Sequence, residues 1–168
     1  LLITSFGESE TPMPARIDAK GYPNGVLIHN SRYVEVKNLE ITGDGYGTKC
    51  PQGDMRIGVQ IFATDDGQVK GIVLDKLKIF HVFFEEKGFK RGAEEVKSAN
   101  GTQRYGWGIR LINPSDAAMI EEVEIRNCEI QNVSHTGIKL TGTTSQNIRQ
   151  ITIAQNKVMH TGGPGIQM

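Results

Sequence analysis

Gly108-Ile109-Arg110-Leu111-Ile112 is answered one unit later by Gly137-Ile138-Lys139-Leu140-Thr141. The same step, a glycine followed by alternating apolar and polar residues, stands at Gly25-Val26-Leu27-Ile28-His29, Gly58-Val59-Gln60-Ile61-Phe62 and Gly165-Ile166-Gln167-Met168. In chain order these glycines are 33, 50, 29 and 28 residues apart. A strand-rich unit that recurs at irregular spacing is what a coiled sheet with variable loops produces. Each of the first four segments leads into a second alternating run, at 33–41, 72–79, 123–130 and 151–158.

Alternation decides which side chains enter the core, because successive strand residues point to opposite faces. Stacked in register, Val26/Ile28, Val59/Ile61, Ile109/Leu111, Ile138/Leu140 and Ile166/Met168 form aliphatic columns. Val34/Val36, Ile72/Leu74, Val123/Ile125 and Ile151/Ile153 form further ones. A turn-like step follows at Asn38, Lys76, Asn127 and Gln155-Asn156, and Leu39/Ile41, Leu77/Ile79, Cys128/Ile130 and Val158 close each coil. No helical period competes over these residues. The pattern predicts an all-β, right-handed parallel β-helix, a single segment spanning 1–168. The chain opens and stops within strand-like sequence, so it reads as an excerpt of a longer coil stack.

The chain has 19 basic and 19 acidic residues, so its zero net charge does not steer it toward nucleic acid or an anionic membrane. It holds no apolar run of membrane-spanning length and no signal peptide, although an excerpt says nothing of compartment by lacking one. Cys128 reads as a buried core thiol and Cys50 as a loop thiol. Their places in the coil leave them too far apart to bridge, and no Cys/His spacing suits zinc.

Insertions enter at one junction. From the last core residue of a coil to the next glycine there are 17 residues for Ile41 to Gly58 and 29 for Ile79 to Gly108, but 7 for both Ile130 to Gly137 and Val158 to Gly165. The insertions 42–57 and 82–107 are therefore expected to wall one side of the coil, since long connections in a compact repeat are commonly functional. The second carries a charged Glu85-Glu86-Lys87 stretch that reads as a short helix or a solvated face. It ends in Tyr105 and Trp107, candidates to stack on a sugar ring or to pack as a lid on the coil.

Two residues after each glycine stand Leu27, Gln60, Arg110, Lys139 and Gln167, an outward ladder with two adjacent cations in its middle. Like charges at strand spacing are unfavourable, and an anionic ligand would account for them. Gln60 and Gln167 then read as substrate-binding neighbours. A repeated His-Thr-Gly at His135 and His160 places imidazoles near the same edge, fit for proton transfer near neutral pH or simply capping a turn. Asp65, Asp66 and Asp116 cluster at the other end of the first strand. They are turn formers, an alternative acid/base pair, or, for Asp66 and Asp116, ligands for calcium, the one cofactor the sequence suggests.

The opening Ile3-Thr4-Ser5-Phe6-Gly7, then Pro14-Ala15-Arg16-Ile17-Asp18 and the run from Gly25 to Thr42, resembles the N-terminal coils of the pectate-lyase-like superfamily of right-handed β-helix proteins. The resemblance implies a secreted or periplasmic carbohydrate-active protein whose partner is a polysaccharide. It is a likeness of fold pattern. The polygalacturonase, pectate lyase and epimerase motifs do not stand here, so no catalytic residue is carried over. The sequence reading is an enzyme cleaving an extended acidic polysaccharide by lyase-type β-elimination, with Arg110 and Lys139 neutralising the carboxylate and His135 or His160 moving the proton. A glycoside hydrolase using a carboxylate pair and a non-catalytic glycan-binding or adhesin β-helix stay open beside it.

Overall fold

The computed structural model describes residues 1–6, 14–20, 22–43, 55–82, 105–144 and 146–168. The chain winds through three strands per coil. The first coil is β1 (Leu2–Thr4), β2 (Ala15–Asp18) and β3 (Asn24–His29); the second is β4 (Arg32–Lys37), β5 (Leu39–Thr42) and β6 (Met55–Phe62). The third is β7 (Gln68–Asp75), β8 (Lys78–Val82) and β9 (Tyr105–Asn113). β10 (Met119–Arg126), β11 (Glu129–Val133) and β12 (Ile138–Gly142) make the fourth, and β13 (Ile148–Ala154), β14 (Lys157–Thr161) and β15 (Ile166–Gln167) the fifth.

Every third strand pairs in parallel, giving three five-stranded sheets: A (β1, β4, β7, β10, β13), B (β2, β5, β8, β11, β14) and C (β3, β6, β9, β12, β15). This is a right-handed parallel β-helix, and no helix occurs among the described residues. The aliphatic columns are where alternation put them. Val59, Ile61, Ile109, Leu111 and Ile138 are completely buried, with Leu140 packed partly buried against the same core. Ile72, Leu74, Val123, Ile125, Ile79 and Ile130 fill the core from the other two sheets.

The recurring glycine has a steric cause. It stands within or just before the sheet C strand of each coil, and a Cβ on Gly108 would lie 2.5 Å from Ile130 Cγ2 and 2.6 Å from the carbonyl oxygen of Gly137 in the next coil. Real Cβ atoms do not tolerate such contacts, so the glycine column allows the coils to close over their own aliphatics.

Stacking also repeats unusual backbone. At the corner from sheet A to sheet B, Asn38, Lys76, Asn127 and Gln155 all have left-handed φ values between 53° and 57°. Their backbone N–H groups still bond to the next coil at 3.2–3.3 Å for Asn38, Lys76 and Asn127. A second left-handed column, Tyr33, Gly71, Glu122 and Gln150, interrupts the ladder of sheet A, and a third, His81, Asn132 and His160, interrupts sheet B. Because each paired strand carries its left-handed residue at the same place, the ladders resume in the same register beyond it.

Cys128 is buried in the core, and desolvation pushes its thiol up to about 11. Cys50 lies outside the described residues. No described helix is long and apolar enough to cross a membrane.

Candidate functional site

The outward ladder of sheet C holds its register across all five coils: Leu27 pairs with Gln60, Gln60 with Arg110, Arg110 with Lys139, and Lys139 with Gln167. These residues alternate with the core aliphatics and therefore project from the outer face. A second outer column runs beside the first. It joins His29 to Phe62, Phe62 to Ile112 and Ile112 to Thr141, with the His29 and Phe62 rings stacked at 5.3 Å. The face thus carries a polar strip flanked by an apolar one.

Charge is distributed differently on the other two faces. Sheet B carries Arg16, Glu40, Lys78, Glu129 and Lys157 in one column of alternating sign, with ion pairs of 2.8 Å for Arg16–Glu40 and 3.6 Å for Lys157–Glu129. On sheet A, Lys37, Asp75 and Arg126 alternate likewise. Lys70 lies 3.0 Å from Glu121 and 2.9 Å from Glu122, which hold its ammonium above the ordinary lysine range, and Arg149 completes the group 2.7 Å from Glu121.

Arg110 and Lys139 break that rule. They are neighbouring like charges, and among the described residues neither has a carboxylate within ion-pair distance. Lys139 is only 7% exposed. Burial, and then the Arg110 charge, lower its pKa from the ordinary value, while burial alone lowers that of Arg110. A desolvated cation without a counterion is costly, and the cost falls when an anion arrives.

The guanidinium is held in place. Its central carbon lies 4.1 Å from the centroid of the Trp107 ring, Nη1 donates to Met55 Sδ at 3.2 Å, and Nε is buried without a hydrogen-bond partner. Trp107 in turn packs on the His135 imidazole, centroids 5.3 Å apart, and His135 Nδ1 lies 2.6 Å from Thr136 Oγ1. Strict strand alternation would put Trp107 and Arg110 on opposite faces. Both lie in β9, whose pairing with β6 skips Gly108, and the two side chains meet across that break in the ladder.

The other expected residues divide. His135 packs on Trp107, the ring beneath Arg110, and is buried rather than open at a groove. His160 is exposed on β14, in the left-handed column of His81 and Asn132. The repeated His-Thr-Gly is thus not a structural repeat: Val133 pairs with Thr161, and Gly163 N–H donates to the His135 carbonyl at 2.8 Å. Trp107, at 2% exposure, packs beneath Arg110 and presents no open face to a sugar here. The Tyr105 backbone pairs with Met55.

Asp65, Asp66 and Asp116 all lie exposed at the corner leading from sheet C to sheet A. Asp65 and Asp66 belong to a tight turn closed by Gly67 N–H donating to the Thr64 carbonyl at 2.8 Å, and the Ser115 hydroxyl ties the next coil to it through the Asp65 carbonyl. Among the described residues no group of three His, Cys, Asp or Glu side chains is placed to hold a metal. Both long insertions leave the coil at the corner between sheets B and C. Their bodies, residues 44–54 and 83–104, lie outside the described residues, and so does the expectation that they wall this face.

Sequence reasoning missed Met55 and the Phe62–Ile112 strip. The signal for the strip was present, since both residues stand four places after their glycines and share the outward phase of Gln60 and Arg110. No family model, no curated protein and no solved structure matches the chain.

Proposed function

We propose that this β-helix acts on an acidic polysaccharide laid across the outer face of sheet C, cleaving it by β-elimination outside the cell or in the periplasm, in the manner of the pectate-lyase-like superfamily. The observation that carries this reading is the Arg110–Lys139 pair, neighbouring cations for which no described carboxylate lies within ion-pair distance. A uronate carboxylate supplies the missing counterion. The Arg110 fork, fixed by Trp107 and Met55, suits bidentate recognition of that planar group.

In the elimination, neutralising the carboxylate makes the adjacent C5–H acidic. His135, buried against the Trp107 ring that carries Arg110, takes that proton only once its imidazole is uncovered to the substrate. The C–H electron pair becomes the C4–C5 double bond, and the C4–O bond breaks. Lys139 shares the carboxylate, and its lowered pKa makes the ammonium a better proton donor to the departing oxygen.

The test is product chemistry on acidic polysaccharides. Ultraviolet absorbance from an unsaturated uronate, lost in Arg110→Ala and His135→Ala, supports the reading. New reducing ends without that absorbance would move the chemistry to a hydrolase using Asp65, Asp66 or Asp116. Binding without cleavage would make this a glycan-binding module. Binding undiminished by Arg110→Ala would remove the site itself.

A further inference from the structure

The rungs of the outer column are not equivalent. Arg110 and Lys139 occupy adjacent strands, about 4.8 Å apart, close enough to share one carboxylate. On either side stands a side-chain amide, Gln60 or Gln167, and beyond Gln60 comes Leu27, 51% exposed. The parallel column of His29, Phe62, Ile112 and Thr141 adds no carboxylate, lysine or arginine, and it lays an aromatic and an aliphatic side chain beside Gln60 and Arg110. An amide strip next to an apolar strip matches a neutral pyranose, whose hydroxyls lie at its rim and whose C–H groups form an apolar face. A polymer with a carboxylate on every sugar would set charges against Gln60 and Leu27, where nothing compensates their desolvation.

We infer that the ligand is a heteropolysaccharide in which an acidic residue, seated at Arg110 and Lys139, is bracketed by neutral sugars, the one at the Gln60 rung packing on Phe62. This rests on the proposed function, because it assumes a glycan on this face.

The experiment titrates the full chain by calorimetry with oligosaccharides of matched length. The alternating ones are hyaluronan and rhamnogalacturonan-backbone fragments, and the uniform one is oligogalacturonate. The tighter of the alternating pair should bind about tenfold more strongly than oligogalacturonate, a difference of about 1.4 kcal/mol. Phe62→Ala should weaken that alternating ligand several-fold, and Gln60→Lys should raise oligogalacturonate affinity about tenfold by adding a cation to a neutral rung. Oligogalacturonate binding as tight as the better alternating ligand overturns this inference and leaves the acidic-glycan reading standing. Binding of none of the three overturns both.

Discussion

Adding one methyl group in the glycine column at sheet C should distinguish coils that differ only in what stacks on them. In Gly108→Ala the new Cβ meets Ile130 Cγ2 at 2.5 Å and the Gly137 carbonyl oxygen at 2.6 Å, a core side chain and a backbone atom. In Gly165→Ala, the same column position in the fifth coil, the nearest atom is Val158 Cγ1 at 3.7 Å, an ordinary contact. Neither glycine has a left-handed φ, so alanine is conformationally acceptable at both and the difference is steric. Overpacking costs about 1–3 kcal/mol. An unstrained Gly→Ala gains about 0.4–1 kcal/mol by restricting the unfolded chain. That gain is common to both variants, so they should differ by the overpacking cost alone, about 1–3 kcal/mol, Gly108→Ala being the weaker. Urea denaturation followed by far-ultraviolet circular dichroism and by the emission of Trp107, the single tryptophan, measures this. Equal stability of the two variants, within about 0.5 kcal/mol, would show that the glycines are not set by close approach of the coils.

Ile109→Ala, which empties a fully buried core position, should cost about 2–5 kcal/mol in the same assay. Trp107→Leu should keep the fold but weaken acidic-glycan binding several-fold by calorimetry, because Arg110 loses the ring it stacks on. Lys139 has its pKa lowered on folding, so the unfolded chain binds more protons between the two pKa values. Stability should then rise with pH through the folded value toward 10.5, a rise absent in Lys139→Met when denaturation is repeated across alkaline pH. Cys128 has the opposite sign: raised from 9.0 to about 11, it should lose stability over that interval as the unfolded thiol ionises first. Cys128→Ala should abolish that loss, and the wild-type thiol should resist alkylation until the chain unfolds.

The coil was legible because its strongest determinants are local and periodic. The recurring glycines mark where a side chain would strike the neighbouring coil, and the alternation after them names the core. The left-handed columns were less so. Asn38 and Asn127 suit a left-handed turn, but Tyr33, Glu122 and Gln150 have no such preference and adopt it because the stacked strands impose it. For the site, the cation ladder was visible at sequence level, whereas its support was not. Trp107 reaches Arg110 across a break in the ladder at Gly108, and Met55 meets it from the preceding coil, fifty-five positions away in the chain. The two histidines share a tripeptide but stand at different offsets in the sequence, five residues past Ile130 for His135 and two past Val158 for His160. Pairing of Val133 with Thr161 sets His135 and His160 in different columns.

The two corners that flank sheet B obey different rules of inheritance. Where sheet A meets sheet B the link is one or two residues in the second to fifth coils, beginning with a left-handed one that, at Asn38, Lys76 and Asn127, is tied to the next coil by its backbone; only the first coil, between Thr4 and Ala15, has a longer link. Where sheet B meets sheet C, two coils cross in four residues while two others accept long insertions, and the strands on either side keep register. Variation is thereby channelled to the edge of the face that bears the cations. A lineage built on this coil can exchange the connections that leave at this corner without renegotiating the core.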